Sequence, residues 1–470
     1  MAPPTLNKKV ECIQGVRLSN SPSALSDIQV HYPLNSPHGV IGSITPHHCP
    51  TGVAVESDAL PLALPALTHP HIHLDKAFVN SAQQYAHLLP QQGGFQEALS
   101  KTAEAKQQFT RADVIQRGEW LLAESVAAGV TAMRAFVEVD HTVRHVCLEA
   151  AVRLQDHWKD ACEVQIVCFA QDPIYSTDHG PQNRSWMEQA LKQYPQVGVI
   201  GSTPYVEATI AAAKQNIDWA VGSALEMGKH LDFHLDYNLE SGKEALVWYV
   251  LDTLRERGWT SATGKRVMLG HCTRLTLFTD EEWSRMAQMI HKHDLPVSFV
   301  GLPTSDLYMA ASSPEKCPHN RSRGTLQVPE MIRKHGLDAV IGVNNVGNAF
   351  TPWGSLDPLA LACLGVGIYQ AGTQDDARLL YECVSTRARA AIGLASSRQG
   401  VELQERMQAD LLVFHQLDLT GCGTIRPRRT VAEIVWDPPA PVSRDLVIRG
   451  HLKRSELLGE RGASLYACEE

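Results

Sequence analysis

From residue 62 to about 370 the chain alternates short apolar or β-branched runs with longer stretches of helical periodicity. The runs predict strands at Leu64–His69, Thr131–Val139, Glu163–Ala170, Val197–Ser202, Leu231–Asp236, Val267–His271, Pro296–Val300 and Asp338–Val343. Between them, Ala112–Ala128 carries Val114, Gly118, Leu121, Leu122 and Val126 on one stripe, and Thr110 with Asp113 gives that helix a start signal. Further helices are predicted at Val206–Met227, Lys243–Arg257 and Asp280–His293. Strands alternating with helices imply βαβ units and a parallel sheet. Eight units over ~280 residues fit an α/β fold of the (β/α)8 TIM-barrel type better than an open doubly wound sheet. No Gly-x-Gly-x-x-Gly run follows the first strand and no P-loop occurs, which removes the common nucleotide-binding readings.

The long insertion Asn80–Gln108, rich in Gln and Gly, is placed to act as a lid. At the ends of the chain the pattern changes. Val10–Leu18, Ile28–Tyr32 and Gly39–Ile44 read as short strands, as do Ala409–Phe414, Val431–Trp436 and Leu446–Arg449. They predict one small composite β-domain built from residues 1–58 and 402–470, around a barrel at 59–401.

Composition narrows the function classes. With 470 residues, 44% of them hydrophobic and 20% charged, the chain can bury a large core. A net charge of −9 argues against a nucleic-acid partner. No run reaches the ~18–20 apolar residues of a membrane span. Lys8 and Lys9 have no apolar segment behind them, so cytoplasm is the expected location. The 11 cysteines lack any Cys-x-x-Cys spacing and read as free thiols in a reducing compartment. Cys272 is read as a small buried apolar residue rather than a nucleophile.

The candidate chemistry lies at strand ends, where a (β/α)8 barrel places its active site. His71 and His73 close the first strand with one residue between them, and a strand sends such a pair to the same side. The third strand ends in Gln171 and Asp172, the fifth carries His234 and Asp236, and the sixth ends in His271. The seventh leads to Ser305 and Asp306, the eighth to Asn344 and Asn345. Imidazoles from separate strands meeting at one mouth suit a hydrolytic metal site, which needs three protein ligands and an open position. Tyr175, Tyr237, Tyr308, Phe136 and Trp353 are candidate pocket walls.

The run Thr68-His69-Pro70-His71-Ile72-His73-Leu74-Asp75-Lys76 resembles the first metal motif of the amidohydrolase superfamily, in its cytosine deaminase and N-isopropylammelide amidohydrolase branch. The resemblance continues in order through Phe169–Ile174, Phe233–Asp236, Gly270–Leu275, Gly342–Val346, Pro352–Gly354 and Ala409–Phe414. It implies that His71, His73 and His234 bind one divalent metal per chain, zinc first and iron as the alternative, with Asn344 against metal and water. It also implies catalytic roles for His271 and Lys76, with Gln171 hydrogen-bonding the substrate.

Two positions depart from the family pattern. Tyr237 stands where cytosine deaminases have glutamate, and Asn344 where active members have aspartate. An amide can coordinate through oxygen but accepts no proton at neutral pH. His271, Asp236, Asp75 and Asp306 are the available replacements for the missing shuttle. The expected function is metal-dependent hydrolysis of a C–N bond in a small, cyclic nitrogenous substrate, by deamination or amide cleavage. The alternatives are non-hydrolytic chemistry of the isomerase or lyase type, or ligand binding alone. The expected partner is that small molecule, with neither nucleic acid nor membrane; an exposed barrel flank leaves room for a homo-oligomer.

Overall fold

The computed structural model describes residues 3–4, 6, 8–48, 60–311, 319, 322–395, 400–418, 421–453 and 465–468. Cys49 and the expected 58/59 junction lie outside them. Two sheets organise the described residues. The first begins with β1 (Lys8–Leu18), β2 (Ser21–His31), β3 (Val40–Pro46) and β4 (Leu62–Pro65).

The second consists of β5 (Leu67–His73), β6 (Val130–Glu138), β7 (Glu163–Ala170), β8 (Val197–Ser202), β9 (His230–Leu235), β10 (Val267–His271), β11 (Val297–Gly301) and β12 (Ala339–Ile341). These pair in chain order, each parallel to the next. The ring closes where Asn344, just past β12, exchanges backbone hydrogen bonds with β5: His73 N donates to Asn344 O at 2.8 Å and Asn344 N donates to His71 O at 3.1 Å. The result is a (β/α)8 barrel. The chain then returns to the first sheet as β13 (Leu411–Phe414), β14 (Arg444–Ile448), β15 (His451–Lys453) and β16 (Tyr466–Cys468), so that sheet is built from both ends of the sequence.

Barrel strands are buried on both faces, which explains their unbroken apolar runs. The period of two then decides what points inward. On β6 the inward set is Arg134, Phe136 and Glu138; on β9 it includes Asp232 and His234. Arg134 and Asp232 form a wholly buried pair near the floor, Nη1 to Oδ2 2.8 Å, with Arg134 Nη2 also donating to Ile392 O at 3.0 Å. Phe136, Phe169, Val167 and Val199 pack together inside the barrel. Burial pushes the Asp232 carboxyl up to about 7 even beside the guanidinium. Breaking such a pair leaves one uncompensated charge in the dry interior. Arg134→Ala is therefore expected to lower stability by about 3–5 kcal/mol in urea unfolding; a loss under about 1 kcal/mol contradicts the pair's structural role.

Two elements differ from the sequence reading. The apolar run at 62–70 contains two strands: Leu62–Pro65 pairs with β1 and β13 in the first sheet, and the barrel strand runs Leu67–His73. Val431–Trp436, read as a strand from its branched residues, is a helix. The Thr430 side chain accepts from Glu433 N while Glu433 accepts from Thr430 N, a capping box that outweighs the β propensity of six residues. The helix start at Thr110 is as expected: its hydroxyl accepts from Asp113 N, ahead of a helix spanning Arg111–Ala128. Among the described residues no helix is long and apolar enough to cross a membrane.

Candidate active site

β5 delivers His71 and His73, β9 delivers His234, and the three rings meet inside the barrel mouth. The His234 Nε2 lies 3.2 Å from His71 Nε2 and 3.0 Å from His73 Nε2. All three side chains are almost wholly buried. Burial first, then neighbouring cations and imidazoles, holds each ring well below the usual histidine range, so all three rings are neutral. Metal–nitrogen bonds of ~2.0–2.1 Å in tetrahedral geometry put ligand nitrogens about 3.3 Å apart, so the observed triangle fits one ion. Neutral Nε2 atoms this close, unless bridged by a proton, face each other with lone pairs, an arrangement a cation relieves. Asn344 adds a buried Oδ1 with no hydrogen-bond partner. Its φ of +68° lies in the left-handed region, where asparagine and aspartate are the best tolerated side chains after glycine. Asp232 Oδ1 stands 3.9 Å from His71 Nδ1, behind the ligand.

A small cavity opens beside this triangle. His73, Lys76, Gln171, Tyr237, His234, His271 and Asn344 all line it, so most of the expected site residues come together. Its free space of about 20 Å³ holds roughly one water. His271 ends β10 in a left-handed turn with Cys272, at φ +64° and +47°. Its Nδ1 donates to Asp306 Oδ1 at 2.8 Å, which leaves Nε2 as the acceptor nitrogen. Asp306 also accepts from Leu302 N at 3.1 Å and Thr325 Oγ1 at 2.8 Å. The Tyr237 ring stacks on His271 with centroids 3.9 Å apart, and its hydroxyl donates to Ser305 O at 3.2 Å.

The other carboxylates proposed as shuttles are spent elsewhere. Asp236, pushed up to about 6 by burial, accepts from Leu246 N and Val247 N at 2.8 and 3.0 Å. Asp75 accepts from Glu138 N at 2.7 Å. None of the cavity-lining residues is a carboxylate.

Trp353 does not line the cavity. It is 45% exposed, because the loop after Thr351 turns away from the mouth, and Phe350 takes the wall position instead. Phe136 lies under His71, centroids 4.0 Å apart, as support rather than lining. Cys272 is buried and its thiol is pushed well above the ordinary range, as an inert packing residue should be. Sequence reasoning missed Phe95, Tyr205 and Phe350 on the walls, and Glu138 behind them. Glu138 was within reach: it is the last residue of β6, and the strand-end test finds it once that strand stops one residue earlier than predicted.

No protein-family model matches the chain. It is 20% identical over 362 residues to the N-isopropylammelide isopropyl amidohydrolase of Pseudomonas sp. (strain ADP), covering 76% of this chain and 80% of that one. The solved 5-methylcytosine deaminase of Klebsiella pneumoniae with 5-fluorocytosine superposes with a TM-score of 0.76 at 20% identity, covering 95% of this chain and 98% of that one. The chain shares the fold of that solved structure. The solved atrazine chlorohydrolase of Arthrobacter aurescens TC1 complexed with zinc gives a TM-score of 0.62 at 15% identity over 97% of this chain and 98% of that one.

Proposed function

We propose that this protein is a metal-dependent amidohydrolase that cleaves a C–N bond in a small cyclic nitrogenous compound. One observation carries the reading: three neutral imidazoles converge, with His234 Nε2 3.0–3.2 Å from the other two, beside a cavity that also holds a carboxylate-oriented histidine. The names of its relatives, an ammelide amidohydrolase and a cytosine deaminase, point to substrates of that class. His71, His73 and His234 would hold the ion, with Asn344 Oδ1 beside it; zinc suits an imidazole set and accompanies the atrazine enzyme, and iron is the alternative. When bound, a divalent ion supplies a Lewis acid and lowers the pKa of water from ~15.7 to roughly 7.

The chain's own groups then divide the work. His271 Nε2 takes the proton of the attacking water and returns it to the leaving nitrogen, while Asp306 holds the ring through Nδ1. The Lys76 ammonium, 3.2 Å from Gln171 Oε1, pairs with it to grip a polar ring edge. Tyr237, its hydroxyl pushed well above the ordinary range by burial and donating to Ser305 O, acts as a neutral wall in place of a carboxylate. Purified protein given excess zinc is expected to hold about one equivalent per chain and to release amine or ammonia from N-isopropylammelide or cytosine analogues. Protein that stays metal-free overturns the proposal.

The amide at position 344 favours a second reading, non-hydrolytic chemistry, because no carboxylate lines the cavity. Asn344→Asp separates the two. If hydrolysis is the native reaction, restoring a carboxylate beside the water should raise kcat by about tenfold or more. An unchanged rate with a non-hydrolytic product from the unmodified protein assigns the lyase or isomerase alternative.

A further inference from the structure

Helix α1 (Phe95–Lys106) touches the site at both of its ends. Its first residue, Phe95, lines the cavity and meets Tyr237 and Phe350 edge-on, with centroids 6.1 and 6.0 Å apart. Its last, Lys106, is 5% exposed and lies among three carboxylates. The ammonium reaches Glu138 Oε2 at 2.6 Å, Asp172 Oδ2 at 2.9 Å, and Asp140 Oδ2. Asp140, His141 and Asp172 have the spacing of a metal cluster, but the Lys106 ammonium already bridges both carboxylates.

Glu138 divides its carboxylate between two lysines. While Oε2 faces Lys106, Oε1 accepts from Lys76 Nζ at 2.6 Å, and Lys76 in turn donates to Gln171 Oε1 at 3.2 Å in the cavity wall. Burial alone would raise the Glu138 pKa, but Lys106 and then Lys76 hold it below the usual range, so it stays charged. A chain of contacts thus runs from the far end of α1 through Glu138 to the cavity. The cavity, with space for about one water, admits no ring compound while Phe95 roofs it. Gly93, at φ +73°, and Gly94, whose Cβ position meets nothing within 4 Å, precede the helix. The Glu97 carboxylate accepts from Gln91 N, Gln92 N and Gly93 N, each at 2.8 Å, and ties this loop to the first turn of the helix.

We propose that Lys106 is a positioning residue of this site, tying the seating of helix α1 over the cavity to the placement of the Lys76 ammonium inside it. The assignment rests on the cavity being the substrate site described above. With α1 seated, two ammoniums balance Glu138, and Lys76 is held against Gln171. With α1 lifted, Lys106 leaves, three carboxylates face one remaining ammonium, and Lys76 is drawn out of register. Substrate entry and readiness for catalysis therefore alternate.

Trace labelling with acetic anhydride, read lysine by lysine by mass spectrometry, tests this without any substrate. In the full-length protein Lys76 and Lys106 should be protected and the exposed Lys243 reactive. Lys106→Met should raise Lys76 labelling about tenfold with Lys243 unchanged, and Lys106→Arg should restore protection. Phe95→Ala, at the half-buried opposite end, should raise labelling of Lys76 and Lys106 together, and this arm decides the matter if Lys106→Met does not fold. Folded Lys106→Met with wild-type Lys76 labelling overturns the proposal, as does Phe95→Ala that leaves Lys106 protected. Metal content measured on the same samples is independent. A labelling response in protein that binds no metal keeps the coupling and sinks the hydrolase reading.

Discussion

Replacing His234 with alanine is expected to abolish metal binding, taking the content from about one equivalent per chain to nearly none. His234 is the vertex of the triangle, since its Nε2 is the atom within 3.2 Å of both other rings. Without it, His71 and His73 offer two imidazole nitrogens, and the neutral amide of Asn344 is no match for the His, Cys or carboxylate ligand that zinc takes as its third. A metal contributes several kcal/mol to a hydrolytic transition state, and each 1.36 kcal/mol is tenfold in rate, so turnover should fall by about 10³ or more. Elemental analysis of the dialysed variant gives the first quantity, and a circular dichroism melt shows whether the fold survives. A variant that keeps its full metal complement removes His234 from the ligand set.

His271→Gln should leave the metal in place and still cost about 10²–10⁴ in kcat, the usual worth of a positioned general base. Glutamine can occupy the space under the Tyr237 ring but cannot carry the proton. Among the groups considered as shuttles, His271 alone faces the cavity; Asp306 stands behind it, and Asp236 and Asp75 are tied to backbone amides. If the variant loses less than about fivefold with metal intact, the proton travels by another route, and Tyr237 becomes the group to change next.

The parts of this site written in the sequence are those set by a short period. His71 and His73 are two apart on a strand, and the alternation alone turns that pair inward. Residues that act across the mouth left no such trace. Nothing local in Phe95 or Lys106 says that their helix lies over β6 and β9, because that placement is decided by tertiary packing. Trp353 shows the converse error: the motif Pro352-Trp353-Gly354 suggested a wall, yet its loop carries the indole into solvent. The apolar run at 62–70 concealed a change of sheet at Ala66, whose N–H donates to Asp410 O at 3.0 Å. Hydrophobicity reports burial on both sides of that junction and cannot say against which neighbour.

The peptide of Asn344 has a consequence for how the molecule comes to exist. Its hydrogen bonds to His71 and His73 are the seam of the ring, so the first-made ligand strand acquires its final neighbour only when the last barrel strand arrives. Contacts between distant stretches of chain form slowly. Until that suture is drawn, β5 has a barrel neighbour on one side only, and His71 and His73 stand at an open edge however much of the ring has already been made.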